Sequence, residues 1–337
     1  MKRSGNQTLI FDNVHVASSA GVVGKKEGEG PIGQVFDYIG MDAHFGEDTW
    51  EKAETRMQQM AADFALKKCN KTKDDVDVVV AGDLLNQCVG SDYSVTPLGK
   101  AHLGIFGACS TMAESLIISA IMTDGDYANR TLAMTSSHFC TAERQFRYPL
   151  SYGSQRPPTA QWTVTGSGAF VVERMPNPSG ICITKAVIGT PIELGITDTN
   201  NMGAAMAPST AFTIRSFLED TRTAPTDYDL ILTGDLAEEG SRILIDILKN
   251  ENNIDISGVH KDCGLMIFDK VKQDVHSGAS GCGCSAVVLA CEIMARFQRG
   301  ELNNILFIGT GALMSTTSAQ QGQPIVGIAH LVQIERR

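Results

Sequence analysis

Asp75-Val-Asp-Val-Val-Val-Ala-Gly-Asp-Leu84 and Asp227-Tyr-Asp-Leu-Ile-Leu-Thr-Gly-Asp-Leu236 are two versions of one ten-residue phrase. Five of the ten positions are identical, and the apolar run falls at the same place in both. A short apolar run closed by Gly-Asp predicts a strand buried on both faces, as in a parallel sheet. Each copy follows a helical stretch. Residues 48–68 place Met57, Met60, Ala61 and Phe64 on one face, with Asp48 and Glu51 spaced for a capping box. Residues 210–221 carry Phe212, Ile214, Phe217 and Leu218 in the same manner.

A second pair of segments repeats further along. The stretch from Cys109 to Met122 resembles the stretch from Cys284 to Met294. Both are apolar nearly all round, which predicts two buried helices. Small residues precede each one, Gly107-Ala108 and then Gly278 to Gly283, as a crowded helix start requires. Strands follow at 130–135 and 304–309, and closing hairpins at 163–173 and 324–334. The order strand, helix, strand, hairpin therefore occurs twice. A turn-rich cluster at 175–180 separates the copies. The expected organisation is an α/β protein of two halves, 1–176 and 177–337, with helices outside and the two apolar helices between.

Bulk properties fit one large globular unit. The chain has 337 residues, 43% hydrophobic and 20% charged, with a formal charge of −10. Such an acidic chain without a basic cluster argues against nucleic acid as a partner. The nine cysteines show no framework spacing, which predicts reduced thiols inside a cell. Residues 1–12 have no apolar core of a signal peptide, and no run reaches the ~20 apolar residues of a membrane span.

Cys109 opens a buried helix. Free N–H groups and the positive end of the helix dipole are expected there, and both would lower its thiol pKa and ready it as a nucleophile. Acyl chemistry would also need a base, for which His138, His260 and His276 are the candidates. His276 precedes the second apolar helix, so the duplication predicts that it enters the pocket opposite Cys109. Gly309-Thr-Gly311-Ala-Leu-Met314 is read as a tight turn that offers backbone donors. It lacks the Lys-Ser/Thr of a phosphate loop. Cys282 and Cys284 form a lone C-x-C, more readily explained by close helix packing than by a metal. Arg144, Arg147 and Arg156, offset only by Glu143, form a local basic exception suited to carboxylates.

Gly107-Ala-Cys-Ser110, His276-Ser-Gly-Ala-Ser-Gly281 and Gly309-Thr-Gly-Ala312 together resemble the thiolase and 3-oxoacyl synthase superfamily. More closely, the whole chain resembles the stage V sporulation AD family of spore-forming bacteria, through Ala81-Gly-Asp-Leu84, Ser136-Ser-His-Phe139, Pro157-Pro158 with Gln161-Trp162, and His276 with Cys282-Gly-Cys284. The resemblance implies a thiolase-like fold of two duplicated βαβαβαββ halves in α-β-α-β-α layers, and a homodimer. It implies binding of dipicolinic acid, pyridine-2,6-dicarboxylate, as its calcium chelate, for uptake into the developing spore. It further implies a place peripheral to the inner spore membrane, with other proteins of the stage V sporulation A operon. The implied pocket residues are Cys109, Asp83, Ser136, His138, His260, His276, Cys284, Gly311, Arg144 and Arg147, and no resident cofactor. Cys109 matches the superfamily nucleophile, with His276 and His260 as its catalytic histidines. The superfamily's Gly-His-x-x-Gly-Ala-x-Gly is one residue shorter here, however, and only fifteen residues separate His260 from His276. Those departures favour a retained pocket without the chemistry. The rivals are a condensing acyltransferase that uses Cys109 and a scaffold for membrane partners.

Overall fold

The valine run of the first repeat becomes a strand because both of its neighbours are parallel strands and both of its faces are covered. The computed structural model describes residues 2–146 and 156–337. In chain order the first half contains β1 (Val14–Val23), α1 (Trp50–Lys68), β2 (Val78–Gly82), β3 (Ala101–Gly104), α2 (Thr111–Asp124), β4 (Arg130–Ser137), α3 (Phe139–Phe146), β5 (Gln161–Thr163) and β6 (Gly166–Arg174). The second contains β7 (Ile181–Val187), α4 (Met202–Thr221), β8 (Leu230–Thr233), α5 (Ala237–Asn252), β9 (His260–Asp262), β10 (Gly278–Ser280), α6 (Cys282–Val287), β11 (Asn304–Leu313) and β12 (Val326–Arg336).

The strands run in the order β3-β2-β4-β6-β1 and then, mirrored, β7-β12-β11-β8-β9. β2 lies parallel to β3 and β4, and β8 lies parallel to β9 and β11. β6 and β12 are antiparallel to their neighbours. The repeated aspartates do matching work. Asp77 accepts from the N–H groups of Asn129 and Arg130 at 2.7 and 3.0 Å. Asp229 accepts from those of Asn303 and Asn304 at 2.7 and 3.0 Å. Each therefore ties the start of one strand to the loop before its parallel partner.

α2 and α6 fill the centre, as their all-round apolar character requires. Met112, Leu116, Ala286 and Val287 are fully buried. Hydroxyls inside α2 turn back on their own helix: Ser115 donates to the Met112 carbonyl and Thr123 to that of Ser119, both at 2.8 Å. Past α6 the helix widens into a π turn, Val288–Ile293, before resuming as α7 (Met294–Gln298). The loosened Ala290 carbonyl accepts the Ser19 hydroxyl of β1 at 2.6 Å.

Several local expectations are corrected. α1 is capped not by Asp48 and Glu51 but by Thr49, whose side chain accepts the Lys52 N–H at 3.3 Å. Asp48 pairs instead with the Lys52 ammonium. α4 begins eight residues before the expected 210, with Asn201 as cap and Pro208 inside it. The hairpin expected at 163–173 does not form. β5 crosses to pair in parallel with β10 of the other half, and β6 joins the main sheet. Residues 309–314 are not a tight turn, because Gly309 to Leu313 continue β11 in unbroken antiparallel register with β12.

Candidate functional site

Cys109 sits just before α2, in a turn that satisfies itself. Ser110 and Thr111 hydroxyls donate to the Gly107 and Ala108 carbonyls, each at 2.6 Å. Ala108 takes φ +52°, the left-handed region that disfavours a residue with a β-carbon. β11 presses on this turn. A β-carbon at Gly311 would lie 2.4 Å from the Gly107 carbonyl oxygen, and one at Gly309 would lie 2.9 Å from that of Ser110. Gly-Thr-Gly is thus a close-packing device.

The thiol of Cys109 is buried and interacts with the carboxyl of Asp235. Asp235 also receives the Gly281 N–H at 2.8 Å and the Thr310 hydroxyl at 2.7 Å. Burial, followed by the charge of Asp235, pushes the Cys109 thiol well above its ordinary value. This overturns the expectation of a lowered pKa. A helix terminus contributes about 0.3–2 kcal/mol, whereas placing a charge in a dry interior beside a carboxylate costs several. Burial also raises Asp235 itself, to about 6.

Above the thiol lies a chamber of about 50 Å³ whose walls include Leu84, Ala108, Ala142, Thr163, Met202 and Met314. Among the described lining residues the one charged side chain is Glu143, 3.9 Å from the Arg156 guanidinium. Arg156 lies over the Trp162 ring, 4.8 Å from its centroid, and Phe139 stacks on that ring at 4.0 Å.

Of the pocket residues that the family resemblance implies, Cys109 lines this chamber and the other described ones are placed elsewhere. His138 is fixed as a neutral ring: Nε2 meets the Ala43 carbonyl at 2.7 Å and Nδ1 accepts the Cys140 N–H at 3.1 Å. His260 meets the Thr233 hydroxyl at 2.9 Å. Burial holds both histidines down at about 4. His276 does not enter opposite Cys109. Its Nδ1 meets the Pro157 carbonyl at 3.0 Å, and Nε2 faces Asp274. Asp83 accepts the N–H groups of Leu85 and Ser91 and the Ser91 hydroxyl. Ser136 donates to Glu54 and accepts from Gln58. Cys284 is buried with its sulfur 3.8 Å from the Gly234 carbonyl. Arg144 pairs with Glu51 over the Trp50 ring. Arg147 lies outside the described residues. No group of three or more potential metal ligands is assembled among the described residues.

Comparison with known proteins agrees with this architecture. The sequence profile described as stage V sporulation protein AD matches residues 5–335. The chain belongs to the stage V sporulation protein AD family. Stage V sporulation protein AD of Bacillus subtilis (strain 168) is 47% identical over 337 residues, covering 100% of this chain and 98% of that one. Among solved structures, 3-oxoacyl-[acyl-carrier-protein] synthase III from Aquifex aeolicus VF5 superposes with a TM-score of 0.56 at 15% identity, over 95% of this chain and 99% of that one. Cerulenin-bound OleA of Xanthomonas campestris gives 0.62 at 13% identity, over 96% and 98%. The fold is therefore thiolase-like, as the duplicated halves indicate, in a protein of the sporulation family. No helix among the described residues is long and apolar enough to cross a membrane.

Sequence reasoning missed Asp235, the residue in direct contact with the thiol. Its signal was present in the repeat, since Asp235 occupies the position that Asp83 holds in the first copy.

Proposed function

We propose that this member of the sporulation family holds dipicolinic acid in the chamber above Cys109 and does not catalyse condensation there. The observation that carries this reading is the contact between Cys109 and Asp235. Acyl transfer begins when the thiol gives its proton to a base and its sulfur attacks a thioester carbonyl. Here the adjacent base is a carboxyl near 6, and the thiol lies well above its ordinary value. Proton transfer from the thiol to that carboxyl is uphill, because the thiol holds its proton far more tightly than the carboxyl would, and losing the proton to solvent instead would leave two negative charges in one buried site. The apolar walls suit a flat ring. Glu143 opposes a free dianion, whereas the calcium chelate is electrically neutral and offers that carboxylate a cation. The same reading puts the protein at the inner spore membrane as a homodimer, with proteins of its operon.

Calorimetry with dipicolinate, alone and with calcium, tests the ligand. Saturable heat that disappears in Ala312→Phe, which fills the chamber, is expected. Absence of saturable heat in the unmodified protein under both conditions overturns it. Intact-mass analysis after incubation with acetyl-CoA tests the chemistry: an acyl adduct on Cys109 would restore the condensing-enzyme reading.

A further inference from the structure

We infer that Phe146 and Met314 form a closable neck that sets access to Cys109, with Gln145 as its latch. Beyond the chamber lies a second cavity of about 250 Å³ lined by Leu85, Asn86, Gln87, Cys88, Phe106 and Gln145. Phe146 and Met314 line both spaces, so they stand where the two meet. Ligand pockets are generally of ~300–1,000 Å³. The inner chamber, at about 50 Å³, is far below that size. With the two side chains withdrawn, chamber and vestibule merge into a space at the lower end of the range.

The surroundings are built for such a movement. Phe146 is only partly buried, resting against Leu84, Ala142 and Cys282 at the end of α3. The facing segment carries two consecutive non-glycine residues in the left-handed region, Gln87 at φ +58° and Cys88 at φ +55°. Backbone of that kind persists only where its surroundings hold it. The clamp is a single amide side chain. Gln145 donates through Nε2 to the Leu84 carbonyl at 2.8 Å and accepts the Asn86 N–H through Oε1 at 3.1 Å. It thereby joins the helix that carries Phe146 to the segment that walls the vestibule. Release of those two hydrogen bonds frees the Phe146 side of the neck from the vestibule wall.

The role of the neck in ligand entry rests on the dipicolinate reading, but its test does not. The rate of Cys109 modification by methyl methanethiosulfonate, a small neutral reagent, is followed by peptide mass spectrometry. Half-exposed Cys69 in the same molecules serves as the control. Phe146→Ala and Gln145→Ala should each speed modification of Cys109 by about tenfold, the factor that a modest loss of apolar contact corresponds to. Cys69 should be unchanged, and Phe146→Trp should slow the reaction. Phe146→Leu, the mildest change, keeps the test valid if the alanine variant unfolds. Rates at Cys109 that ignore the substitutions at residues 145 and 146 in folded protein overturn the neck. If dipicolinate fails to bind while those rates still respond, the ligand reading falls and the neck stands.

Discussion

The two halves use one repeated aspartate for different ends. In the first, Asp83 turns back on its own loop and holds the N–H groups of Leu85 and Ser91. In the second, the corresponding loop is held from outside. Asp262, at the end of β9, takes the N–H groups of Leu236 and Ala237 and the Thr233 hydroxyl. Relieved of that task, Asp235 reaches across to Thr310, Gly281 and the Cys109 thiol. Duplication supplied two equivalent carboxyls. In the second copy the loop has a different anchor, and its carboxyl faces the centre. Each half also hides a partner acid: Glu54, raised to about 8, lies near Asp83, and Asp262, raised to about 7, lies near Asp235.

The sharpest way to break this comparison is to remove the anchors. Asp83→Ala and Asp262→Ala each orphan three buried or partly buried donors, so each should cost about 3 kcal/mol in urea unfolding, with neither loss much larger than the other. A negligible loss at Asp262 would mean that the second loop holds itself. Next comes the central carboxyl. Asp235→Asn keeps the shape and removes the charge, so the Cys109 thiol pKa should fall and the thiol should alkylate about tenfold faster at pH 8. Asp83→Asn should leave that rate alone.

The smallest effect concerns pH. Glu54 has its folded pKa raised, chiefly by burial and then by Asp83, to about 8 from an ordinary 4.5. The native state therefore binds more protons than the unfolded chain between those values, and stability falls as pH rises through that window. Between pH 7 and 8 the Glu54 contribution to that fall is about 1 kcal/mol. Urea midpoints at the two pH values should show it, and Glu54→Gln should remove that part. A fall unchanged in Glu54→Gln would assign the effect to other groups.

Much of this fold was legible because it rests on backbone demands that the sequence must meet. Val79 to Ala81 and Leu230 to Leu232 are buried, so their apolar runs are unbroken. The Asp77 and Asp229 ties recur because both parallel crossovers need the same anchor. The first two turns of α4 were hidden by Gly203, Pro208 and small residues, which carry little periodic signal yet pack closely: Gly203 abuts Gly240 of α5. The site was less legible than the fold. A histidine beside a glycine-rich segment looks catalytic, but His276 is occupied by a carbonyl of a distant loop that no local pattern announces. Likewise the thiol pKa depends on a carboxyl 126 positions away in sequence, and helix position alone pointed the wrong way.

The π turn in the central helix has a mechanical meaning. Its extra residue leaves one carbonyl reaching outward, and a serine from a strand of the opposite half occupies it. Beside that contact, Gly21 admits the Cys291 sulfur where any β-carbon would stand 2.6 Å from it. The pair works like a key in a slot. Sliding the halves by one residue would withdraw the hydroxyl and drive a side chain into the sulfur, so any opening of this molecule must take place at its rim and not along its midline.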